Sequence, residues 1–332
     1  MTIHGYMASS LPTFSHVQQA AKLLEGVVSR TPVLQSPFLD QRCGGTVFLK
    51  CENLQRTGAF KFRGAYHALV RKETTAPFHQ VVTVSSGNHA QGLALASQLL
   101  GYSAHIVMPE PINALKRMRV EELGATVTVR PTRQKAQESA QELVWRHRGL
   151  FIHPFNDVDV IAGQGTATWE LLQAEPALDA ILAPVGGGGL LSGACLAAHG
   201  VNPSIKVYGC EPARAMDVRS SLQHGYVVQP DPADTMAEGL RTSLGELTFG
   251  IVRDHVEEIF VVEEEEIPAA MKMAFERLHL VLEPSSAVAL APILRGESVL
   301  ANKRVGVILS GGNISLPDFF SLVDQHCYIS PD

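Results

Sequence analysis

Residues 179–193 read DAILAPVGGGGLLSG, and this stretch decides the fold because four consecutive glycines join an apolar strand to a helix. The strand ends at Val185 and the helix begins near Leu190. Glycines lack a Cβ atom, so their amide N–H groups can turn inward onto an anion, which the N-terminus of the following helix also favours. The stretch therefore predicts a phosphate-binding loop, and the alternative is a tight, flexible turn.

Two common nucleotide-binding motifs do not describe this loop. No Gly-Lys-Ser/Thr follows the glycines, and Leu191 stands where GxGxxG requires its third glycine. A dehydrogenase that binds NAD through this loop is kept as an alternative from another class. A non-catalytic protein that binds a small ligand is a third possibility.

On both sides of this loop, apolar runs alternate with helical patterns, which is typical of βαβ units and a mainly parallel sheet. The class is α/β. Most predicted strands are continuously apolar, as expected when helices cover both faces of a sheet. The predicted strands are residues 46–51, 80–85, 103–109, 125–130, 179–185, 206–211, 258–262 and 304–310. The predicted helices include residues 13–28, 89–101, 114–124, 133–148 and 267–281.

The positions of the chemistry-bearing loops predict two domains. Residues 79–152 form a block of three or four βα units with such loops on either side. We predict that this block is a small domain inserted into a large one, formed by residues 1–78 and 153–332, with the active site in the cleft between them.

Composition limits the class of function. The 332 residues are 45% hydrophobic and carry a formal net charge of −6, which argues against nucleic acid as the main partner. Five scattered cysteines without a CxxC pair indicate neither a disulfide framework nor a zinc site. The N-terminus, MTIHGYMASSLPTF, lacks a basic and apolar export signal, and no segment has the ~20 apolar residues of a membrane span. We therefore expect a cytoplasmic protein.

A second loop, TVSSGNHAQG at residues 83–92, also follows a strand and opens a helix. The backbone amides of the helix start, with the side chains of Ser85, Ser86 and Asn88, could hold a carboxylate, and a serine could also relay a proton. The alternative is ordinary helix capping. In a third loop, RVGVILSGGNISL at residues 304–316, Ser310 ends a strand, which is where ligands bind in open α/β sheets.

Lys61 lies in KCENLQRTGAFKFRGA, residues 50–65, among small and aromatic residues. With a phosphate loop and an anion-binding polar loop, a lysine in such a segment is what pyridoxal phosphate chemistry requires, because the amine forms a Schiff base with the cofactor aldehyde. Burial beside Phe60 would lower the pKa of the amine. The alternative is an ordinary helix lysine whose charged end reaches solvent.

Five motifs in this order, TGAFKFRGA, SSGNHAQG, VGGGGLLSG, EPSSAVAL and SGGN, cover nearly the whole chain. Together they resemble the fold-type II pyridoxal phosphate enzymes of the threonine dehydratase and serine racemase family. The resemblance implies two open, mainly parallel twisted sheets with flanking helices. It further implies that Lys61 bonds the cofactor, with cofactor contacts from Phe60 on the ring, Asn88 on the 3′-oxygen, Ser310 on the pyridine nitrogen and Gly186, Gly187, Gly188 and Gly189 on the phosphate.

The resemblance also implies a substrate site and a cation site. The substrate carboxylate would lie among Ser85, Ser86, Asn88 and His89, with Asn156 of HPFND nearby. In CEPARAMD, residues 210–217, the carboxylates of Glu211 and Asp217 and the carbonyl of Ala215 would bind a divalent cation. Oxygen ligands suit Mg²⁺ or Ca²⁺. Without the resemblance, this acidic pair would be a solvated surface.

The activity that the resemblance implies is α,β-elimination from a 3-hydroxy amino acid of the threonine or serine type, which yields a 2-oxo acid and ammonia. A serine at position 86 is typical of serine racemases and 3-hydroxyaspartate dehydratases, where it is the acid/base on the face opposite the lysine, so both activities are alternatives. An arginine that could meet a second carboxylate is replaced by Ala136, with Arg133 and Lys135 displaced from it, which counts against a dicarboxylate substrate. The family also predicts a homodimer.

Overall fold

The computed structural model of the protein describes residues 11–324 except residues 76, 113 and 230–232. Residues 1–10, on which most of the export prediction rests, and Cys327 lie outside the described residues. The four cysteines within them, Cys43, Cys51, Cys195 and Cys210, are free and buried. No helix in these ranges is long and apolar enough to cross a membrane.

Ten strands and fourteen α-helices make up the described chain. The strands are β1 (Val33–Gln35), β2 (Thr46–Cys51), β3 (Gln80–Val84), β4 (Ser103–Pro109), β5 (Thr126–Arg130), β6 (Leu150–Phe151), β7 (Ala180–Pro184), β8 (Lys206–Pro212), β9 (Glu258–Val262) and β10 (Arg304–Leu309). The helices are α1 (Phe14–Leu24), α2 (Pro37–Cys43), α3 (Lys61–Glu73), α4 (Asn88–Leu100), α5 (Ala114–Glu122), α6 (Arg133–His147), α7 (Val158–Ala174), α8 (Gly189–Val201), α9 (Asp217–His224), α10 (Glu246–His255), α11 (Glu266–Leu278), α12 (Pro284–Ala287), α13 (Ala291–Leu294) and α14 (Leu316–Asp324).

These strands form two sheets, as predicted. The six-stranded sheet has the order β1-β2-β10-β7-β8-β9 and the four-stranded sheet the order β5-β4-β3-β6. All pairs are parallel except β1 with β2. The α/β class with two mainly parallel sheets is therefore confirmed, and the four-stranded sheet lies wholly within the predicted small domain.

Helices cover both faces of each sheet, which explains the continuous apolar runs of the strands. One face of the six-stranded sheet packs against α2 and α11 to α14, and the other against α1, α7, α8 and α10. The four-stranded sheet packs against α3, α4 and α5 on one face and α6 on the other. Because α3 also shares its core with Val160 of α7, it connects the two sheet units.

Several elements are absent from the predictions, among them β1, β6 and α7. Strands β1 and β6 have three and two residues, too few to show a period of two. Helix α7 is long, but residues 160–168 are all buried, so it has no polar face to reveal a helical period. The glycines of α7 and α8 make this burial possible, because a Cβ atom on Gly193 would lie 2.5 Å from the backbone nitrogen of Gly165.

Candidate active site

One cavity lies between the two sheets, at the carboxyl ends of their strands, the usual ligand position in open α/β folds. Both sheets contribute, with Ser85 after β3 and Ser310 after β10. The lining includes nine further residues for which the sequence predicts a cofactor or substrate role. They are Phe60, Lys61, Ser86, Asn88, His89, Gly186, Gly187, Gly188 and Gly189, and Asn156 is the predicted residue that is not among them. Tertiary structure thus brings together loops up to about 250 residues apart in sequence.

Lys61 is the first residue of α3. Its Nζ donates a hydrogen bond to the Pro154 carbonyl at 2.8 Å and lies 5.0 Å from the centre of the Phe60 ring. Burial lowers the pKa of the amine to about 8. About a tenth of the amine is then neutral at pH 7, far more than for a lysine with an ordinary pKa near 10.4, and a neutral amine is what a nucleophile or proton acceptor needs.

The glycine loop has no room for side chains. A Cβ atom on Gly187 would lie 2.3 Å from the Phe155 ring, and one on Gly186 would lie 2.8 Å from the Leu240 Cα. Gly188 has φ +85°, in the left-handed region, and immediately precedes α8. Backbone N–H groups at a helix N-terminus, approachable only because Cβ atoms are absent, fit a bound phosphate.

Asn88, at the start of α4, is held by two residues of the other sheet unit. Its Nδ2 donates to Glu283 Oε1 at 2.6 Å, and its Oδ1 accepts from Asn313 Nδ2 at 2.9 Å. Asn313 also donates to the Thr57 carbonyl and accepts from Arg119 Nη1 at 2.8 Å. These bonds fix the Asn88 amide plane at the cavity wall and leave its second Nδ2 hydrogen for a ligand.

Burial shifts the titration of three further groups around the cavity. The pKa of His89 is lowered by burial and then by the charges of Lys61 and His153, and burial lowers the pKa of His153 to about 4. Both imidazoles are therefore neutral near pH 7. Burial raises the pKa of Glu283 to about 7, because the charge of Lys116 and the Asn88 hydrogen bond offset only part of the desolvation.

Asn156 is placed differently from the other predicted residues. Its Oδ1 accepts a hydrogen bond from the Leu247 N–H at 3.0 Å, at the start of α10, and Asn156 is not among the described residues that line the cavity. The amide oxygen is thus engaged with the protein. Its role at the substrate carboxylate stays a prediction.

The predicted cation ligands lie around the end of β8, apart from the cavity lining. Glu211 is buried and accepts hydrogen bonds from the N–H groups of Val218 and Arg219, at 3.0 and 2.9 Å. Asp217 is buried too, and neither of its carboxylate oxygens has a hydrogen-bond partner in the described part of the chain. Burial raises the pKa of Glu211 to about 8, with a further contribution from Asp217, and that of Asp217 to about 7. Two desolvated carboxylates fit a bound cation.

Comparison with known proteins identifies the family. The family described as pyridoxal-phosphate dependent enzyme matches residues 24–311. The chain belongs to this family. Membership agrees with the glycine loop and with Lys61 at the cavity, and it favours pyridoxal phosphate over a dinucleotide as the ligand of that loop.

Individual members of the pyridoxal-phosphate dependent enzyme family align along nearly their whole length. A serine racemase of Dictyostelium discoideum is 41% identical over 94% of this chain and 98% of its own. A beta-hydroxyaspartate dehydratase of Paracoccus denitrificans is 40% identical over 92% of this chain and 98% of its own. The solved structure of maize serine racemase is 36% identical, with a TM-score of 0.90, and covers 96% of this chain and 98% of its own. Isomerases and lyases are thus both close relatives.

Sequence reasoning assigned no role to several residues at the cavity. Glu283 and Asn313 lie in the quoted motifs EPSSAVAL and SGGN. The only feature in the sequence that could have indicated a role for them was a polar side chain within a motif of the family. Lys116 and Glu238 also line the cavity, and nothing in their local sequence distinguishes them from surface charges. Arg133, which is displaced in sequence from the position of an arginine for a second carboxylate, lines the cavity too.

Proposed function

We propose that this protein is an ammonia-lyase that converts a 3-hydroxy amino acid, of the threonine or serine type, to a 2-oxo acid and ammonia. The observation that carries the proposal is the position of Lys61, whose pKa is lowered to about 8, in one cavity with the glycine loop and the Ser85–Asn88 loop. The lyase and isomerase relatives support a reaction that begins at the α-carbon of an amino acid.

The residues present fit pyridoxal phosphate. The N–H groups of the glycine loop would hold its phosphate, Asn88 and Ser310 the polar atoms of its ring, and Phe60 one side of the ring. When bound, the cofactor withdraws electrons from the substrate α-carbon.

The chain's own residues supply binding and proton transfer. Ser85, Ser86 and the N–H groups at the start of α4 would bind the substrate carboxylate. The neutral Lys61 Nζ then accepts the α-proton, while the 3-hydroxyl takes up a proton and leaves as water. Addition of water to the resulting enamine yields the 2-oxo acid and ammonia. Because His89 and His153 are neutral, they add no positive charge that would attract an anion away from Arg133 or Lys116.

Racemisation is the second candidate function. Ser86 lines the same cavity as Lys61, so its hydroxyl could return a proton to the α-carbon after Lys61 has removed one. If Ser86→Ala abolishes racemisation and activity on D-isomers but preserves elimination from L-isomers, Ser86 is the second acid/base. Equal loss of both would contradict that role.

Two further features extend the proposal. A divalent cation at Glu211, the Ala215 carbonyl and Asp217 would offset the buried charge of the two carboxylates. This set has two acidic side chains, and the described residues contain no cluster of three or more His, Cys, Asp or Glu side chains that could hold a metal ion. Mg²⁺ or Ca²⁺ should then raise the melting temperature of the wild type but not of Asp217→Asn. We also propose a homodimer, which sedimentation would test.

The central experiment is an assay of purified protein against a panel of 3-hydroxy amino acids for 2-oxo acid and ammonia. The protein should be yellow, and borohydride should attach the cofactor covalently to Lys61. Lys61→Ala should remain folded and lose 2-oxo acid formation. Colourless protein that binds NADH would overturn the proposal.

A further inference from the structure

Two histidine rings meet in the helix layer on one face of the six-stranded sheet, where α8 and α10 end. The Nδ1 atoms of His199 and His255 lie 3.0 Å apart, and the centres of the two rings are 5.2 Å apart. Both residues are half-buried, so solvent reaches the pair. Neither histidine lines the active-site cavity or belongs to one of the five family motifs.

The hydrogen bonds of His199 show which of its ring nitrogens lacks a hydrogen. Its Nε2 lies 3.0 Å from the Ile205 carbonyl oxygen, which can only accept, so Nε2 carries the ring hydrogen. In the neutral ring, Nδ1 then has a lone pair that faces His255. Metal-binding histidines usually donate their other ring N–H to a group such as a backbone carbonyl, as His199 does here.

The electrostatic environment favours a neutral His199 and a bound cation. Burial lowers the pKa of His199 and, together with the charges of His255 and Lys206, outweighs the opposite effect of the Ile205 hydrogen bond. His255 is the last residue of α10, and His199 lies in the last turn of α8. Helix C-termini carry partial negative charge, so two of them side by side attract a cation. Lys206 is itself paired with Glu257 at 2.7 Å, which offsets its charge.

We propose that His199 and His255 bind a divalent transition-metal ion such as Zn²⁺ through their Nδ1 atoms. Imidazole nitrogens suit ions of this class. Zn–N bonds of about 2.0–2.1 Å at a tetrahedral angle place two nitrogens roughly 3.3 Å apart, so the rings need to separate by only a few tenths of an ångström. On binding, His255 carries its ring hydrogen on Nε2, and both Nδ1 lone pairs face the ion. Within the described ranges no third His, Cys, Asp or Glu side chain completes the set, so water fills the other positions.

The ion would join two helices that both begin at the glycine loop. Gly188 is the N-cap of α8, and Thr248 in the first turn of α10 donates from Oγ1 to the Gly187 carbonyl at 2.8 Å. A metal between His199 and His255 links the opposite ends of the same helices. Binding to the folded state alone stabilises it and slows local opening of these ends. The site is separate from the proposed lyase chemistry and does not depend on it.

The experiment is a calorimetric titration of Zn²⁺ into the holoenzyme, with excess Mg²⁺ present to occupy the oxygen ligands around Glu211. His199→Gln and His255→Gln should each weaken Zn²⁺ binding at least about tenfold, since even the loss of an outer-shell partner typically costs that much. The double variant should bind no more weakly than either single variant, because one imidazole cannot chelate. His224→Gln is the matched control, since His224 is exposed and is also the last residue of its helix, α9. It should leave Zn²⁺ binding unchanged.

Stability measurements provide a second test. At a Zn²⁺ concentration tenfold above the dissociation constant, the melting temperature of wild type should rise by roughly 1–3 °C. Amide exchange at the ends of α8 and α10 should slow as well, and neither effect should occur in the two variants. If His199→Gln fails to fold, His255→Gln alone decides the matter. A wild type that binds Zn²⁺ no better than these variants, or an equal loss in His224→Gln, would overturn the proposal and leave the pair as a hydrogen bond between two imidazoles.

Discussion

Lys61 illustrates how one residue acquires its chemistry from its surroundings. The sequence places it beside Phe60, and the fold encloses its amine, whose hydrogen bond goes to the uncharged Pro154 carbonyl. No carboxylate contributes to its pKa, so burial alone favours the neutral amine. Glu283 is the opposite case, because burial raises its pKa to about 7 and thereby favours the neutral acid.

We predict that Lys61 in cofactor-free protein reacts with amine-specific reagents at far lower pH than other lysines do. The pKa of about 8 is below the ordinary value, so the reactive neutral amine appears as pH rises through about 8, rather than near 10.4. Mass spectrometry of acylated peptides at several pH values would measure this. Lys135, an exposed lysine, is the internal control, and equal profiles for the two lysines would contradict the prediction.

At the scale of elements, the chain connects β2, α3 and α7 through buried charges. Arg63 of α3 bonds Glu52 through Nε and Nη2, at 2.7 and 2.8 Å, and Glu170 of α7 through Nη1 and Nη2, at 2.8 and 2.9 Å. Lys50 of β2 completes the group with a 2.6 Å contact to Glu170. Such a group is stable only when every charge is compensated.

We therefore expect Arg63→Leu to lower the free energy of unfolding by roughly 3–5 kcal/mol, since it leaves Glu52 and Glu170 buried without a guanidinium. Glu138→Gln breaks the exposed Lys135–Glu138 pair and should cost at most about 1 kcal/mol. Urea unfolding of the two variants measures the difference. Similar losses for both would show that burial does not govern the Arg63 group.

The contact between α7 and α8 depends on glycine. Gly193→Ala places a Cβ atom 2.5 Å from the backbone of Gly165, so the helices must separate, and we expect a loss of about 1–3 kcal/mol or more. Gly250 in α10 is the matched control, because a Cβ atom there meets nothing within 4 Å. Gly250→Ala should stabilise by roughly 0.5–1 kcal/mol. Thermal unfolding of both variants tests the opposite signs.

At the scale of the whole molecule, α5 of the smaller sheet unit reaches across the cleft. Lys116 pairs with Glu238, and Arg119 donates to Asn313, which in turn donates to Asn88. The same residues therefore hold the two units together and orient an amide at the cavity. These hydrogen bonds therefore link the relative position of the two units to the orientation of the Asn88 amide at the cavity.

We predict that Arg119→Ala loosens the cleft. Amide hydrogen exchange in α5 should increase, and cofactor should dissociate faster, because Asn313 loses one of the bonds that orient Asn88. Arg117→Ala is the control on the same helix, since Arg117 pairs with Glu121 inside α5 at 2.8 Å. Unchanged exchange in Arg119→Ala, or an equal increase in both variants, would contradict the link.

The sequence alone was sufficient for features that depend on local chain chemistry. Eight strands follow from apolar runs and several helices from hydrophobic periodicity, and the glycine loop and Lys61 follow from the residue types that a phosphate loop and a Schiff base require. Helix α7 was not predicted because it is buried on all sides, and a helix without a polar face shows no hydrophobic periodicity.

Only the tertiary structure decided which side chains meet. Asn88 and Glu283 are 195 residues apart, and Arg119 and Asn313 are 194 apart, so no local pattern pairs them. Periodicity reports which face of an element is buried, whereas pKa shifts and ligand recognition depend on which groups the packed sheets bring within a few ångströms.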